Sequence, residues 1–206
     1  MRYRPISPEL LVAELTELIT ERDRRWTRVA IDGAGDGPRL LAGSLVEPLR
    51  VRGRPALHVS ARDFLRPASL RFERGRHDPD ERYLSWLDTN ALRREVLGPL
   101  EPDGSGAVLP ALWDAERDRA TRLPRTELAA GGVLLVDGEF LLGAGLPFDL
   151  AVHLWLSPGA LRRRLPDEEA WALPAFARYE DEVNPVGLAD LVVRVDDPRH
   201  PAVREG

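Results

Sequence analysis

Val29-Ala30-Ile31-Asp32-Gly33-Ala34-Gly35-Asp36-Gly37-Pro38-Arg39-Leu40 is the segment on which the fold turns. A short apolar run ends at an aspartate. Alternate glycines then allow a tight loop, and a proline stands where the next apolar stretch, Leu40 to Leu49, begins. Pro is tolerated in the first turn of a helix and not inside a central strand. The segment therefore predicts a strand, a tight loop and a helix.

The same strand-like pattern recurs along the chain at Ala56 to Ser60, Gly132 to Asp137, Leu150 to Leu156 and Leu191 to Val195. Between these runs lie helical stretches. Ser7-Pro8 caps an amphipathic stretch with Leu11, Leu15, Leu18 and Ile19, running to about Arg24. Tyr83 to Leu97, Pro158 to Leu165 and Glu168 to Glu182 read as further helices. Continuous apolar strands alternating with helices predict an α/β fold, a parallel sheet covered on both faces. One domain spans residues 1–206, with an N-terminal helical segment over 1–26 and a candidate lid over 158–182. Ligands of such sheets bind beyond the carboxyl ends of the strands. Those ends carry Asp32-Gly33, Ser60 with Asp63, and Asp137-Gly138, so one polar rim is expected.

Composition narrows the function classes. Net charge is -5, which gives no reason to expect a nucleic-acid partner. The chain has no cysteine, hence no thiolate metal site and no disulfide framework. No apolar run approaches the length of a membrane span, and no leader pattern follows Met1, so a cytoplasmic protein is expected. All 29 basic residues are arginine. Any chemistry that needs a lysine must use a substitute. His58, His77, His153 and His200 lack metal-ligand spacing, and no metal site is expected from them.

Gly33 to Leu40 stands where a phosphate-binding Walker A loop, G-x-x-x-x-G-K-[ST], would stand. The rest of the chain, from about Val29 to Asp197, resembles the uridine kinase family, especially its divergent actinobacterial branch. Ser60-Ala61-Arg62-Asp63-Phe64-Leu65-Arg66-Pro67 is similar to that branch's S-x-D-D-F-x-R-P segment. Arg71-Phe72-Glu73-Arg74-Gly75-Arg76 resembles its basic R-Y-x-R-G-x stretch, and Asp88 with Ala91-Leu92-Arg93 its F-D-x-x-A-L-R segment. Leu112-Trp113-Asp114 stands at the aromatic-Asp pair near the base, and Val133 to Gly138 at the Walker B strand. Arg162, Arg163 and Arg164 stand at the arginine-bearing lid, with Arg178-Tyr179 and Ala189 to Val193 in the closing segment.

The resemblance implies a P-loop NTPase three-layer sandwich with a five-stranded parallel sheet in the order 2-3-1-4-5. It implies transfer of the γ-phosphoryl group of ATP, with magnesium, to the 5′-hydroxyl of a pyrimidine nucleoside. Residues 33 to 40 (Gly33, Ala34, Gly35, Asp36, Gly37, Pro38, Arg39 and Leu40) and Asp137 would hold the nucleotide. Asp88, Trp113, Asp114, Arg74 and Arg76 would hold the nucleoside, with Arg162, Arg163, Arg164 and Arg178 as the lid.

Four positions depart from that pattern. Pro38 replaces the glycine before the lysine and has no N–H to donate. Arg39 replaces the lysine, and a planar guanidinium is not equivalent to an ammonium. Leu40 replaces the hydroxyl that ligates magnesium. The position of the catalytic carboxylate falls on Arg62, with Asp63 beside it and expected to point the other way on an extended segment. Losing a preorganised donor costs about 10²–10³ in rate and losing a general base about 10²–10⁴. A weakened or inactive kinase relative that binds a nucleotide or nucleoside is one reading. An active nucleoside or small-metabolite kinase using Arg39, and a non-catalytic scaffold or regulatory protein, are the others.

Overall fold

The computed structural model describes residues 2–205. Its centre is a mixed sheet of seven strands: β1 (Arg2–Pro5), β2 (Trp26–Gly33), β3 (Ala56–Ser60), β4 (Gly132–Gly138), β5 (Leu150–Trp155), β6 (Leu191–Arg194) and β7 (Ala202–Glu205). The spatial order is β1-β7-β6-β5-β2-β4-β3. Strands β3, β4, β2, β5 and β6 are mutually parallel. Strand β7 runs antiparallel to β6, and β1 antiparallel to β7. The sheet is thus larger than the expected five strands. The extra pair has four residues per strand and interleaves charged with apolar residues, Arg2-Tyr3-Arg4-Pro5 against Ala202-Val203-Arg204-Glu205, too short for an apolar run to announce it. Every residue of β4 is buried, as a central strand covered on both faces requires.

Helices α1 (Pro8–Thr20) and α2 (Gly37–Val51) cover one face, packing Leu11, Leu15, Ile19, Leu45 and Leu49 on Val29, Ile31, Val133 and Val152. Ser7 caps α1 by accepting from the Leu10 N–H at 3.2 Å. The helix stops at Thr20, short of Arg24, and a strand precedes it, so residues 1–26 are not wholly helical. On the opposite face lie Ala91, Leu92, Val96, Leu97 and Tyr179, against Ala30, Leu134 and Val136.

The single helix expected over Tyr83 to Leu97 is broken. Helix α3 (Pro79–Leu84) ends before the turn at 85–88, and Asp88 then caps a new short helix, Thr89–Leu92, by accepting from the Ala91 N–H at 2.8 Å. A wide π-type turn, Arg93–Leu97, follows. The segment expected as a lid comprises α4 (Pro158–Arg164), a 3₁₀ segment at Asp167–Ala172 and α5 (Leu173–Val183).

Candidate functional site

The polar rim forms at the carboxyl ends of β2, β3 and β4. Ser60 is in register with Asp137, which sets their side chains together. The Ser60 hydroxyl donates to Asp137 Oδ2 at 3.1 Å, and His58 Nε2 lies 2.6 Å from Oδ1. Both carboxylate oxygens of Asp137 are therefore engaged by β3 side chains.

The loop between β2 and α2 turns on Gly33, at φ +153. A Cβ there would lie 2.9 Å from the Leu154 carbonyl oxygen, so only glycine fits. Pro38 sits in the first turn of α2. The Gly35 N–H donates to Glu139 Oε1 at 3.2 Å. Arg82 Nη2 donates to Glu139 Oε2 at 2.9 Å and to Glu169 Oε2 at 3.1 Å. A carboxylate of the chain itself thus reaches into the loop, held by a buried arginine. Asp36 faces two guanidinium groups, Arg39 Nε at 3.6 Å and Arg62 Nη1 at 3.8 Å. Leu40 is 65% exposed and offers no ligand atom.

These groups open on a cleft of about 580 Å³, bordered by Asp36, Arg39, Arg62, Asp63, Arg82, Trp86, Asp114 and Glu139. Arg62 and Asp63 both line it, contrary to the expectation of opposite directions. The segment Ala61–Phe64 is a 3₁₀ turn, so successive side chains are not set on opposite faces as they are in a strand. Burial raises the Asp63 pKa, and the carboxylates of Asp137 and Asp114 push it further up, against the pull of His58. That is the environment of a proton acceptor.

The remaining predicted site residues do not gather there. The Asp88 carboxylate is spent on its cap, and Trp113 donates to Asp118 Oδ1 at 3.1 Å. Asp114 reaches the cleft but also accepts from the Glu116 and Arg117 backbone N–H groups at 3.1 and 3.0 Å. Arg74 pairs with Glu81 at 3.2 Å, and Arg76 stacks over Phe72 at 4.9 Å. In the lid, Arg164 donates to the Val195 and Asp196 carbonyls, and Arg178 is tied to Asp80 at 2.9 Å and Glu182 at 2.7 Å. Arg163 is exposed, and Arg162 borders a different cavity. Glu169 on Arg82, and Asp80 on Arg178, join the segment at 158–182 to α3.

A magnesium ion has a poor donor set here. Leu40 offers no oxygen, Asp137 has both oxygens taken, and the described residues contain no group of three His, Asp or Glu side chains able to hold a metal. For a polyphosphate, the cations Arg39, Arg62 and Arg82 and the loop amides are suitable in kind, but the Gly35 amide is occupied.

A second buried network lies behind the loop. Asp32 accepts from the Leu141 N–H at 2.9 Å and from the Tyr179 hydroxyl at 3.1 Å, and its Oδ2 lies 2.6 Å from His153 Nδ1. Tyr179 Oη in turn accepts from the Leu142 N–H at 3.1 Å. Asp32 therefore helps to hold the turn at 141–142. Burial opposes the charge on His153, but the carboxylates of Asp32 and Glu180 outweigh it and lift its pKa to about 9. Burial beside Asp32 drives the Tyr179 phenol far upward.

Sequence reasoning missed Glu139, Arg82 and His153. Arg82 and Glu139 are 57 positions apart, and neither lies in a motif. The one available signal was His153 as a lone polar residue inside an apolar strand.

Compared with protein-family models, the chain matches none. It also matches no curated protein. Among solved structures it is similar to that of a possible uridine kinase from Bacillus stearothermophilus, with TM-score 0.73, 21% identity, and 89% of this chain and 98% of that chain covered. It is also similar to a protein from Silicibacter sp. TM1040 whose assignment as a fructose transport system kinase is itself inferred, with TM-score 0.60, 20% identity, and coverages of 89% and 95%. At this identity the likeness shows the fold alone, an α/β arrangement of parallel-centred sheet and covering helices shared with these two proteins.

Proposed function

We propose that this chain is a uridine kinase-like P-loop protein that binds a nucleoside or nucleotide in the rim cleft and transfers phosphate weakly or not at all. The observation that carries this reading is the Glu139 carboxylate on the Gly35 amide, 3.2 Å away. A loop that cradles phosphate offers its N–H groups to an incoming anion. Here an internal anion competes for that position, and Arg82 neutralises the internal anion rather than a ligand. The substitutions at Pro38, Arg39 and Leu40 act in the same direction. The cleft keeps binding capacity in Arg39, Arg62, Trp86 and Asp114.

The test combines calorimetry with a coupled assay, using uridine, cytidine and ATP, each with and without magnesium. Expected are saturable nucleoside binding, weak ATP binding that magnesium does not strengthen, and turnover near background. Strictly magnesium-dependent ATP affinity in the low micromolar range, or robust phosphorylation, would sink the proposal. No binding by any of them would favour a scaffold.

One observation favours the second reading, an active kinase using Arg39. Asp63 lies in the cleft with a raised pKa, as a general base requires. On that reading Asp63→Asn abolishes turnover; on ours there is little turnover to lose.

A further inference from the structure

A second cavity, of about 480 Å³, lies between the carboxyl end of β5 and helices α4 and α5. Its size falls within the range of small-molecule sites. Its walls are mostly apolar and aromatic, with Trp155, Leu161, Phe176 and Tyr179 among them. Phe140 is the only residue it shares with the rim cleft.

His153 also lines it. That side chain is buried, and its Nε2 has no hydrogen-bond partner among the described residues. A buried polar atom without a partner is costly in a native structure and calls for an occupant. Its other nitrogen is fixed on Asp32, so the ring cannot turn to satisfy Nε2. Glu180 Oε1 stands 3.6 Å from Nε2, beyond hydrogen-bonding range but beside it on the same wall. The cavity therefore presents one N–H donor next to one carboxylate acceptor, against a wall for a flat ring.

This pairing selects by charge as well as by shape. An anion would meet Glu180, and a cation would meet the imidazolium and Arg162, which also lines the cavity. A neutral edge that carries an acceptor next to a donor satisfies both, as paired parallel hydrogen bonds do elsewhere. The geometry points to a second small-molecule site in this cavity, taking a planar apolar ring with a neutral lactam or carboxamide edge. The ligand carbonyl accepts from His153 Nε2–H, and its adjacent N–H donates to Glu180. This assignment does not depend on what the rim cleft binds.

Calorimetry on the full chain tests it with 2-pyridone and benzamide as probes, and with N-methyl-2-pyridone and benzoate as controls. Saturable binding of both probes is expected. Methylating the lactam nitrogen, or the change Glu180→Ala, should each weaken 2-pyridone about tenfold, the effect of one hydrogen bond. Ala177→Trp, at an exposed position on the cavity wall, should abolish binding. The Glu180 side chain is 43% exposed, so both variants should fold, and a thermal melt checks this. Absence of saturable binding overturns the proposal. So do equal affinities for 2-pyridone and its N-methyl form, benzoate binding as tight as benzamide, or binding that survives Ala177→Trp.

Discussion

Tyr179 shows how much a single oxygen can hold. Its hydroxyl accepts from the Leu142 N–H and donates to Asp32, both in the buried interior. Tyr179→Phe leaves that N–H without a partner, at a cost of about 1–3 kcal/mol. Urea unfolding should report a lower midpoint with an unchanged slope, and an unaltered midpoint would show the hydroxyl to be idle. His153 adds a pH dependence. Asp32, Glu180 and Tyr179 face its ring, and its pKa of about 9 exceeds the roughly 6.5 of an unfolded histidine. The protonated form is favoured by folding, so this stabilisation is complete below about pH 6.5 and is lost as pH rises through 9. The shift corresponds to a loss on the order of 3 kcal/mol. Unfolding midpoints at pH 6 and pH 9.5 should differ accordingly, and equal midpoints would exclude an imidazolium at this position.

At the level of elements, the loop and the lid are joined through Arg82. It touches Glu139 beside the loop and Glu169 in the lid segment, and it leaves one buried nitrogen, Nε, without a partner among the described residues. Glu139→Ala frees the Gly35 amide and leaves Arg82 paired with Glu169. We expect pyrophosphate affinity, measured calorimetrically, to rise about tenfold, together with a loss of stability of about 1–3 kcal/mol. Unchanged affinity would mean that Glu139 does not compete with anions. Restoring the loop by Pro38→Gly, Arg39→Lys and Leu40→Thr should leave turnover near background while Glu139 remains. The gain from Glu139→Ala should be larger on the restored loop, a coupling that a double-mutant cycle reads. The strand–loop–helix at 29–40 was legible because glycine spacing and apolar runs are local signals. The break at Asp88 was not, because Leu84, Leu87, Leu92 and Val96 keep a helix-like spacing across a capped turn. Nor was Arg82–Glu139, since pairing across distant segments leaves no mark in either one.

Across the whole molecule, the parallel centre was readable from continuous apolar strands, whereas the antiparallel edge was not, because short, half-exposed strands carry little burial pattern. That edge pairs Arg2 with Glu205, so the two ends of the described chain lie side by side. Seen as a polymer, the folded backbone is almost a ring, and folding must close a loop nearly as long as the chain. Closing so long a loop costs about 5 kcal/mol in chain entropy. A short glycine-rich linker joining the ends would make that closure covalent in both states. The cyclised protein should unfold at a higher temperature than its linear isomer with the same linker left open. A backbone reopened elsewhere on the surface, as at the turn around Gly104, should still find the same sheet.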